Sequence, residues 1–280
     1  MKPEPMALRK FLLDALAEDI GIGDITTMSC VSDAATAEGQ VIAKEAFIVC
    51  GLDIFAQVFR LLDERVSVRF HAEEGQTVEK GALLASLCGP AHALLSGERV
   101  ALNLLQRLSG IATRTNEAVC QVRGTKAKIT DTRKTTPLMR ALEKYAVRVG
   151  GGHNHRIGLS DGVLIKDNHI AAAGGIAQAV RAARENIPHT LKIEVETENL
   201  DQVQQALNAG ADIIMLDNMT CEQMVQAVAL VNGRALTEAS GNMGDKDLRS
   251  VAMTGVDIIS IGALTHTVKA CDISVKLGMK

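Results

Sequence analysis

From residue 127 onward the chain alternates short apolar, β-branched runs with helical patterns. Four such runs, at 191–195, 213–216, 235–238 and 258–261, start 22 or 23 residues apart, and helical patterns at 199–209, 220–231 and 245–253 separate them. Two more runs precede them, at 127–130 and 163–165. A repeat this short leaves room for one crossover helix between neighbouring strands, so it specifies a parallel sheet covered by helices. Six strands suit an incomplete (β/α) barrel better than an open sheet, and periodicity by itself does not close the barrel.

Each of the six runs ends on a charged or small residue. Arg133 and Lys134 follow the first, Lys166 follows the second, and Glu194 lies near the end of the third. Asp217 follows the fourth, Ser240-Gly241-Asn242 the fifth and Gly262-Ala263 the sixth. Barrel enzymes assemble their sites at the C-terminal ends of strands, and their last two loops often bind phosphate. Taken singly, Glu194 or Asp217 is as readily a structural salt-bridge partner. Six such strand ends in one chain predict a site.

Charge says what that site attracts. Residues 131–170 hold seven Lys or Arg against four acids, a net +3 within a chain of −3, so the remaining 240 residues sum to −6. Cations concentrated against an acidic background attract anionic ligands. Arg140, Lys144 and Arg148, spaced i, i+4, i+8, read as the solvated face of a helix. Arg133, Lys134, His155, Arg156 and Lys166 do not fit that reading, because they sit at strand ends or in a loop. Gly150 to Gly152 precede His153-Asn154-His155-Arg156 and predict a sharp turn or a close approach to a ligand.

The first part of the chain has a different texture. Residues 6–19 form an amphipathic helical pattern through Leu8, Phe11, Leu12, Ala15 and Leu16, ended by Gly21 and Gly23. Two β-type runs, 40–50 and 66–70, flank a helix through Ile54, Val58, Leu61 and Leu62, and 73–87 reads as a turn between strands. These features predict a mixed α/β, sandwich-like domain over 1–110, with a structural and interfacial role. A helical pattern at 91–122 leads into a barrel domain over 111–266, and 267–280 is expected to pack back on the first domain.

Aromatic residues are 2% of the chain, with no Trp and one Tyr, which excludes a base-stacking nucleic-acid binder. A pI near 6.2 agrees. The six cysteines show no C-x-x-C pair and no metal-ligand spacing, as expected of reduced thiols in a cytoplasmic protein. Asp14 and Glu18 interrupt the first apolar run, which argues against a signal peptide, and no stretch approaches the roughly 18 apolar residues of a membrane span.

The segments D-T-R-K-T-T-P (131–137), E-K-Y-A-V-R-V-G-G-G-H-N-H-R (143–156) and I-K-D-N-H (165–169) closely resemble the signatures of the quinolinate phosphoribosyltransferases. The likeness runs from G-D-I-T-T at 23–27 to I-G-A-L-T-H at 261–266. It implies a barrel of the type II phosphoribosyltransferase kind, which joins quinolinate to phosphoribosyl pyrophosphate with loss of pyrophosphate and CO2. It further implies that Thr132, Arg133, His155, Arg156 and Lys166 bind quinolinate, and that Arg99 reaches the site from the neighbouring subunit of a homodimer. The same likeness places Ser240, Gly241, Asn242, Ile261, Gly262 and Ala263 around the sugar phosphate. Lys134, Glu194 and Asp217 become the catalytic set, and Glu194 and Asp217 hold ribose hydroxyls or the shell of a Mg2+ ion.

Two positions depart from the family pattern. Leu138 follows T-T-P where glycine is common, and S-G-N-M-G replaces a glycine-rich phosphate segment, with Asn242 tolerant of positive φ. Other readings are a molybdenum-transport-associated relative with another substrate, a Schiff-base aldolase using Lys166, and a barrel that binds a phosphorylated ligand without turnover.

Overall fold

The computed structural model describes residues 3–279. The chain begins with helices α1 (Pro5–Ile20) and α2 (Ile25–Cys30), strands β1 (Thr36–Ala43) and β2 (Phe47–Ile48), and helix α3 (Leu52–Leu62). Strands β3 (Ser67–Phe70), β4 (Thr77–Val78) and β5 (Leu83–Pro90) lead into the long helix α4 (Ala91–Gln121). Then come β6 (Lys128–Thr130), α5 (Arg140–Val149), β7 (Val163–Ile165), α6 (Asp167–Ala173), α7 (Ile176–Asn186), β8 (Ile193–Thr197) and α8 (Leu200–Asn208). The remaining elements are β9 (Ile213–Asp217), α9 (Cys221–Val231), β10 (Leu236–Ser240), α10 (Leu248–Met253), β11 (Ile258–Ser260), α11 (Ala263–His266) and β12 (Ile273–Met279). Among the described residues no helix is long and apolar enough to cross a membrane.

The chain divides into two compact units. One comprises Met1–Asn116, Ala141–Gly151 and Val268–Lys280, the other Glu117–Arg140 and Gly152–Thr267.

In the first unit, α1 starts where the Glu4 carboxylate accepts from the Met6 and Ala7 N–H groups, with Pro5 at the first turn. Leu8, Leu12 and Leu16 form its buried stripe. The apolar run at 40–50 divides between two sheets. β1 lies in an antiparallel sheet of order β12-β1-β5-β3, whereas β2 pairs with β4. β1 alternates exposed and buried residues, as a strand with one covered face must. The core is mostly aliphatic, with Phe55 on Phe59 as a ring pair, edge to face at 5.1 Å.

Two glycines let other segments lie against α4. A Cβ on Gly110 would sit 2.1 Å from the Lys269 carbonyl oxygen, and one on Gly150 would sit 2.3 Å from that of Ala112. Gly150 therefore serves helix packing rather than approach to a ligand. Helix α5 is fastened in the same unit, where Glu143, fully buried, accepts from Arg107 at 2.6 Å. Tyr145 donates its hydroxyl to Glu74 at 2.8 Å. The expected solvated basic face is not observed along the whole of α5. Arg148 is exposed, but Lys144 is only 3% exposed, because the stripe it shares is turned inward by these anchors.

The second unit is the parallel sheet, in the order β6-β11-β10-β9-β8-β7. β6 and β7 are its edges and do not pair, so the barrel is incomplete. Ile193, Ile214, Leu216, Ala239 and Ile259 are fully buried, as in strands covered on both faces. Register aligns the C-terminal ends, with Ser240 opposite Asp217 and Ser260 opposite Thr130. The fifth strand runs 236–240 rather than 235–238, so Ser240 ends it instead of following it. The third strand runs 193–197 rather than 191–195, because a turn that closes with Leu191 N–H on the Pro188 carbonyl delays its start.

Candidate active site

A cavity of about 580 Å³ lies at the C-terminal ends of the parallel strands. Its cationic side begins just past β6. Asp131, fully buried, accepts from the His155 backbone N–H at 2.9 Å and from the Asn154 side chain. Thr130 donates its hydroxyl to the His153 carbonyl at 3.1 Å. These bonds draw loop 152–162 to the end of β6, which brings His155 and Arg156 beside Thr132, Arg133 and Lys134 in the cavity wall. Lys134 is held through its backbone, its N–H on Thr132 Oγ1 at 3.0 Å and its carbonyl accepting from Thr265 Oγ1 at 2.7 Å. Lys166 follows β7 and is ion-paired with Glu196 on β8. An ammonium so paired is a fixed cation, not a free nucleophile.

Arg156 donates through Nη1 to the Gly162 carbonyl at 2.9 Å, while its Nε is buried and lacks a partner. Burial, and then the nearby Arg133 charge, hold its pKa below the usual guanidinium value, with Glu194 and Asp161 partly opposing. A crowded, partly desolvated cation of this kind gains most from an incoming anion.

The opposite side is acidic and rich in small residues. Asp217 ends β9 and accepts from the Asn218 side chain at 2.8 Å. Gly241 has φ +92°, and a Cβ there would meet Asn218 Oδ1 at 2.2 Å and its backbone N at 2.8 Å. Asn242 also takes positive φ, at 53°, and Asp245 N–H closes a turn onto its carbonyl at 3.1 Å. Ser240, Asn242, Gly244, Gly262 and Ala263 complete this wall. Small side chains there leave backbone N–H groups within reach of ligand oxygens.

The structure thus brings together Thr132, Arg133, Lys134, His155, Arg156, Lys166, Asp217, Ser240, Gly241, Asn242, Gly262 and Ala263. It does not bring three others. Ile261 is buried behind the wall, at 2% exposure. Arg99 is exposed on α4 and does not line this cavity. Glu194 is the correction with most chemical weight. Because β8 starts two residues late, Glu194 is its second residue, opposite Leu164 and Ile213, and Glu196 reaches the rim instead. Both glutamates satisfy the same two-residue alternation, so only the strand's start distinguishes them.

Glu194 instead joins a buried cluster. Its Oε2 lies 3.1 Å from His155 Nε2, and Glu238 Oε1 lies 3.6 Å from the same nitrogen. Glu238, on β10, also lines the cavity. Burial, then the Glu194 charge, push its pKa up to about 7, against the pull of His155 and Ser260. The sequence reading passed over Glu196, Asn218, Glu238, Ser260 and His266. An acid inside the apolar run A-L-T-E-A-S was the available signal for Glu238, since a buried carboxylate costs free energy unless paired.

A parallel α/β sheet with cations and small-residue loops gathered at its strand ends defines a domain whose cavity suits a multiply anionic, phosphorylated ligand. Comparison with known proteins gives the particular family. Residues 24–109 match the family model "Quinolinate phosphoribosyl transferase, N-terminal domain" and residues 111–276 match the corresponding C-terminal domain. The chain belongs to the quinolinate phosphoribosyl transferase family. It is 49% identical over 269 residues to a probable carboxylating nicotinate-nucleotide pyrophosphorylase of Bacillus subtilis, covering 96% of this chain and 93% of that one. It is 43% identical to the carboxylating nicotinate-nucleotide pyrophosphorylase of Mycobacterium leprae, covering 97% of each. The crystal structure of NadC from Streptococcus pyogenes superposes with a TM-score of 0.94 at 41% identity, covering 100% of this chain and 99% of that one.

Proposed function

We propose that the chain is a decarboxylating quinolinate phosphoribosyltransferase, which makes nicotinate mononucleotide, pyrophosphate and CO2 on the route to NAD. The observation that carries this reading is the convergence of Arg133, Lys134, Arg156 and Lys166 on one cavity in a chain of this family. Quinolinate carries two adjacent carboxylates, and paired carboxylates call for several fixed, directional cations. Arg133, Arg156 and Lys166 read them, while Ser240, Gly241, Asn242, Gly262 and Ala263 present backbone donors to the sugar phosphate.

Displacement at C1 of the ribose passes through an oxocarbenium-like state. Asp217 stabilises that charge and orients ribose hydroxyls, and Lys134 neutralises charge on the departing pyrophosphate. The pyridinium formed by attack takes up the electron pair left when CO2 departs from C2, and that carbon then gains a proton. The wall orients and desolvates the departing carboxylate.

Magnesium fits this cavity, where Asp217 offers a hard carboxylate oxygen alongside substrate oxygens and water. When bound, Mg2+ adds charge neutralisation on the pyrophosphate. Glu194, paired with His155 instead, has no part in holding it. The working form is a homodimer in the cytoplasm, in which Arg99, exposed on its own chain, supplies a further cation to the partner's site.

The test is incubation with quinolinate, phosphoribosyl pyrophosphate and Mg2+, followed by detection of nicotinate mononucleotide and CO2. Nicotinate, lacking one carboxylate, should show kcat/KM at least about 100-fold lower, because cations that the second carboxylate would cover are left without it. Comparable values for the two would overturn the assignment.

A further inference from the structure

We propose that Glu238 is a carboxylic acid that serves as a hydrogen-bond donor to the doubly carboxylated substrate, so that binding is linked to a proton. The proposal rests on the function given above and names a specificity determinant within that site.

The geometry of the buried cluster carries it. Glu194 and Glu238 are 4% and 2% exposed, and their carboxylates share one imidazole. His155 Nδ1 accepts from the Arg156 backbone N–H at 2.7 Å, so the imidazole proton sits on Nε2, between the two carboxylates. That N–H reaches Glu194 Oε2 at 3.1 Å, whereas Glu238 Oε1, at 3.6 Å, is beyond hydrogen-bond range. Glu194 Oε1 and Glu238 Oε1 have no hydrogen-bond partner. Two desolvated carboxylates with one donor between them cannot both ionise. Glu194 has that bond and keeps the charge. Glu238 keeps the proton.

The ligand-capable atoms of His155, Glu194 and Glu238 lie within 4.8 Å of one another, which invites a metal ion. The tautomer argues against one. With Nδ1 engaged as an acceptor, the proton on Nε2 occupies the position an ion would need.

The acids packed on Glu238 act in the same direction. Glu194 comes from β8 and Asp131 from the end of β6, and both disfavour a second negative charge. His155, by charge, and Ser260, by a hydrogen bond, act the other way and are outweighed. The register neighbour on β9, Met215, is apolar. An ionised Glu238 in this wall would repel a substrate carboxylate, whereas a protonated one donates to it.

Calorimetry with quinolinate in buffers of different ionisation enthalpy tests this. Uptake by the wild-type protein should rise from about half a proton per site at pH 7 to close to one between about pH 8 and pH 9, where affinity should fall by about tenfold per pH unit. Glu238→Gln, an uncharged donor of the same shape, should bind with flat pH dependence and no uptake. Difference infrared spectra of the wild-type protein give a second readout, a carboxylic-acid carbonyl band that titrates near neutrality and moves upward with quinolinate. Binding without uptake, uptake that survives in Glu238→Gln, or no such band overturns the assignment of Glu238 alone. Absence of quinolinate binding at every pH removes the functional reading and this inference with it.

Discussion

Leu138 holds a backbone position that suits glycine. It follows Pro137 in a turn closed by Met139 N–H on the Thr136 carbonyl at 3.1 Å, with φ +64°, and the residue is 90% exposed. A left-handed leucine costs about 1–2 kcal/mol, and glycine costs about 0.5–1 kcal/mol in unfolded-state entropy. Leu138→Gly should therefore stabilise the protein by about 0.5–1 kcal/mol, read as a higher urea midpoint; a lower midpoint would show that the leucine makes a contact worth keeping. Asn242, the other departure from the family pattern, has φ 53° at little strain because Asn tolerates that region. At Gly241 both geometry and space forbid a side chain. Gly241→Val should weaken phosphoribosyl pyrophosphate by tenfold or more, about 1.4 kcal/mol, and quinolinate much less. Equal losses in calorimetry would mean a general folding defect.

Among the elements, α5 depends most on one ion pair. Glu143→Ala removes the carboxylate to which Arg107, 29% exposed in its side chain, donates, and should cost about 3 kcal/mol of unfolding free energy. A loss below about 1 kcal/mol in denaturant titration would show that water replaces the carboxylate without penalty. This docking was not legible in the sequence. The stripe Arg140, Lys144, Arg148 has the spacing of a solvated face, and nothing in it tells that Arg107 and Glu74 wait for the other side. The parallel strands were legible, because apolar runs covered on both faces need no partner to be recognised. Their ends were legible to within two residues, which was enough for Arg133, Lys134, Lys166 and Asp217. It was too coarse for Glu194 against Glu196, where a Pro188 turn decides which carboxylate reaches the cavity. The His155 cluster lay further out of reach, since it joins a loop and two strands distant in sequence.

At the scale of the whole molecule, the proposal that Arg99 serves a partner's site can be tested by mixing. Arg99→Ala and Lys134→Ala proteins should each be inactive alone. Subunit exchange should restore about a quarter of wild-type activity, since roughly half the dimers become hybrids with one intact site of two. No recovery, with exchange confirmed by mass spectrometry, would confine Arg99 to its own chain or to no part in the chemistry. The pairing of β12 with β1 has a consequence during synthesis. β1 begins at Thr36 and β12 at Ile273, so 237 residues separate the starts of two hydrogen-bonded neighbours. On a ribosome adding about 5–20 residues per second, β1 waits on the order of ten to fifty seconds for its outer neighbour, with one edge open to any strand that passes. The nascent chain is thus most exposed to mispairing at the sheet that holds no part of the cavity.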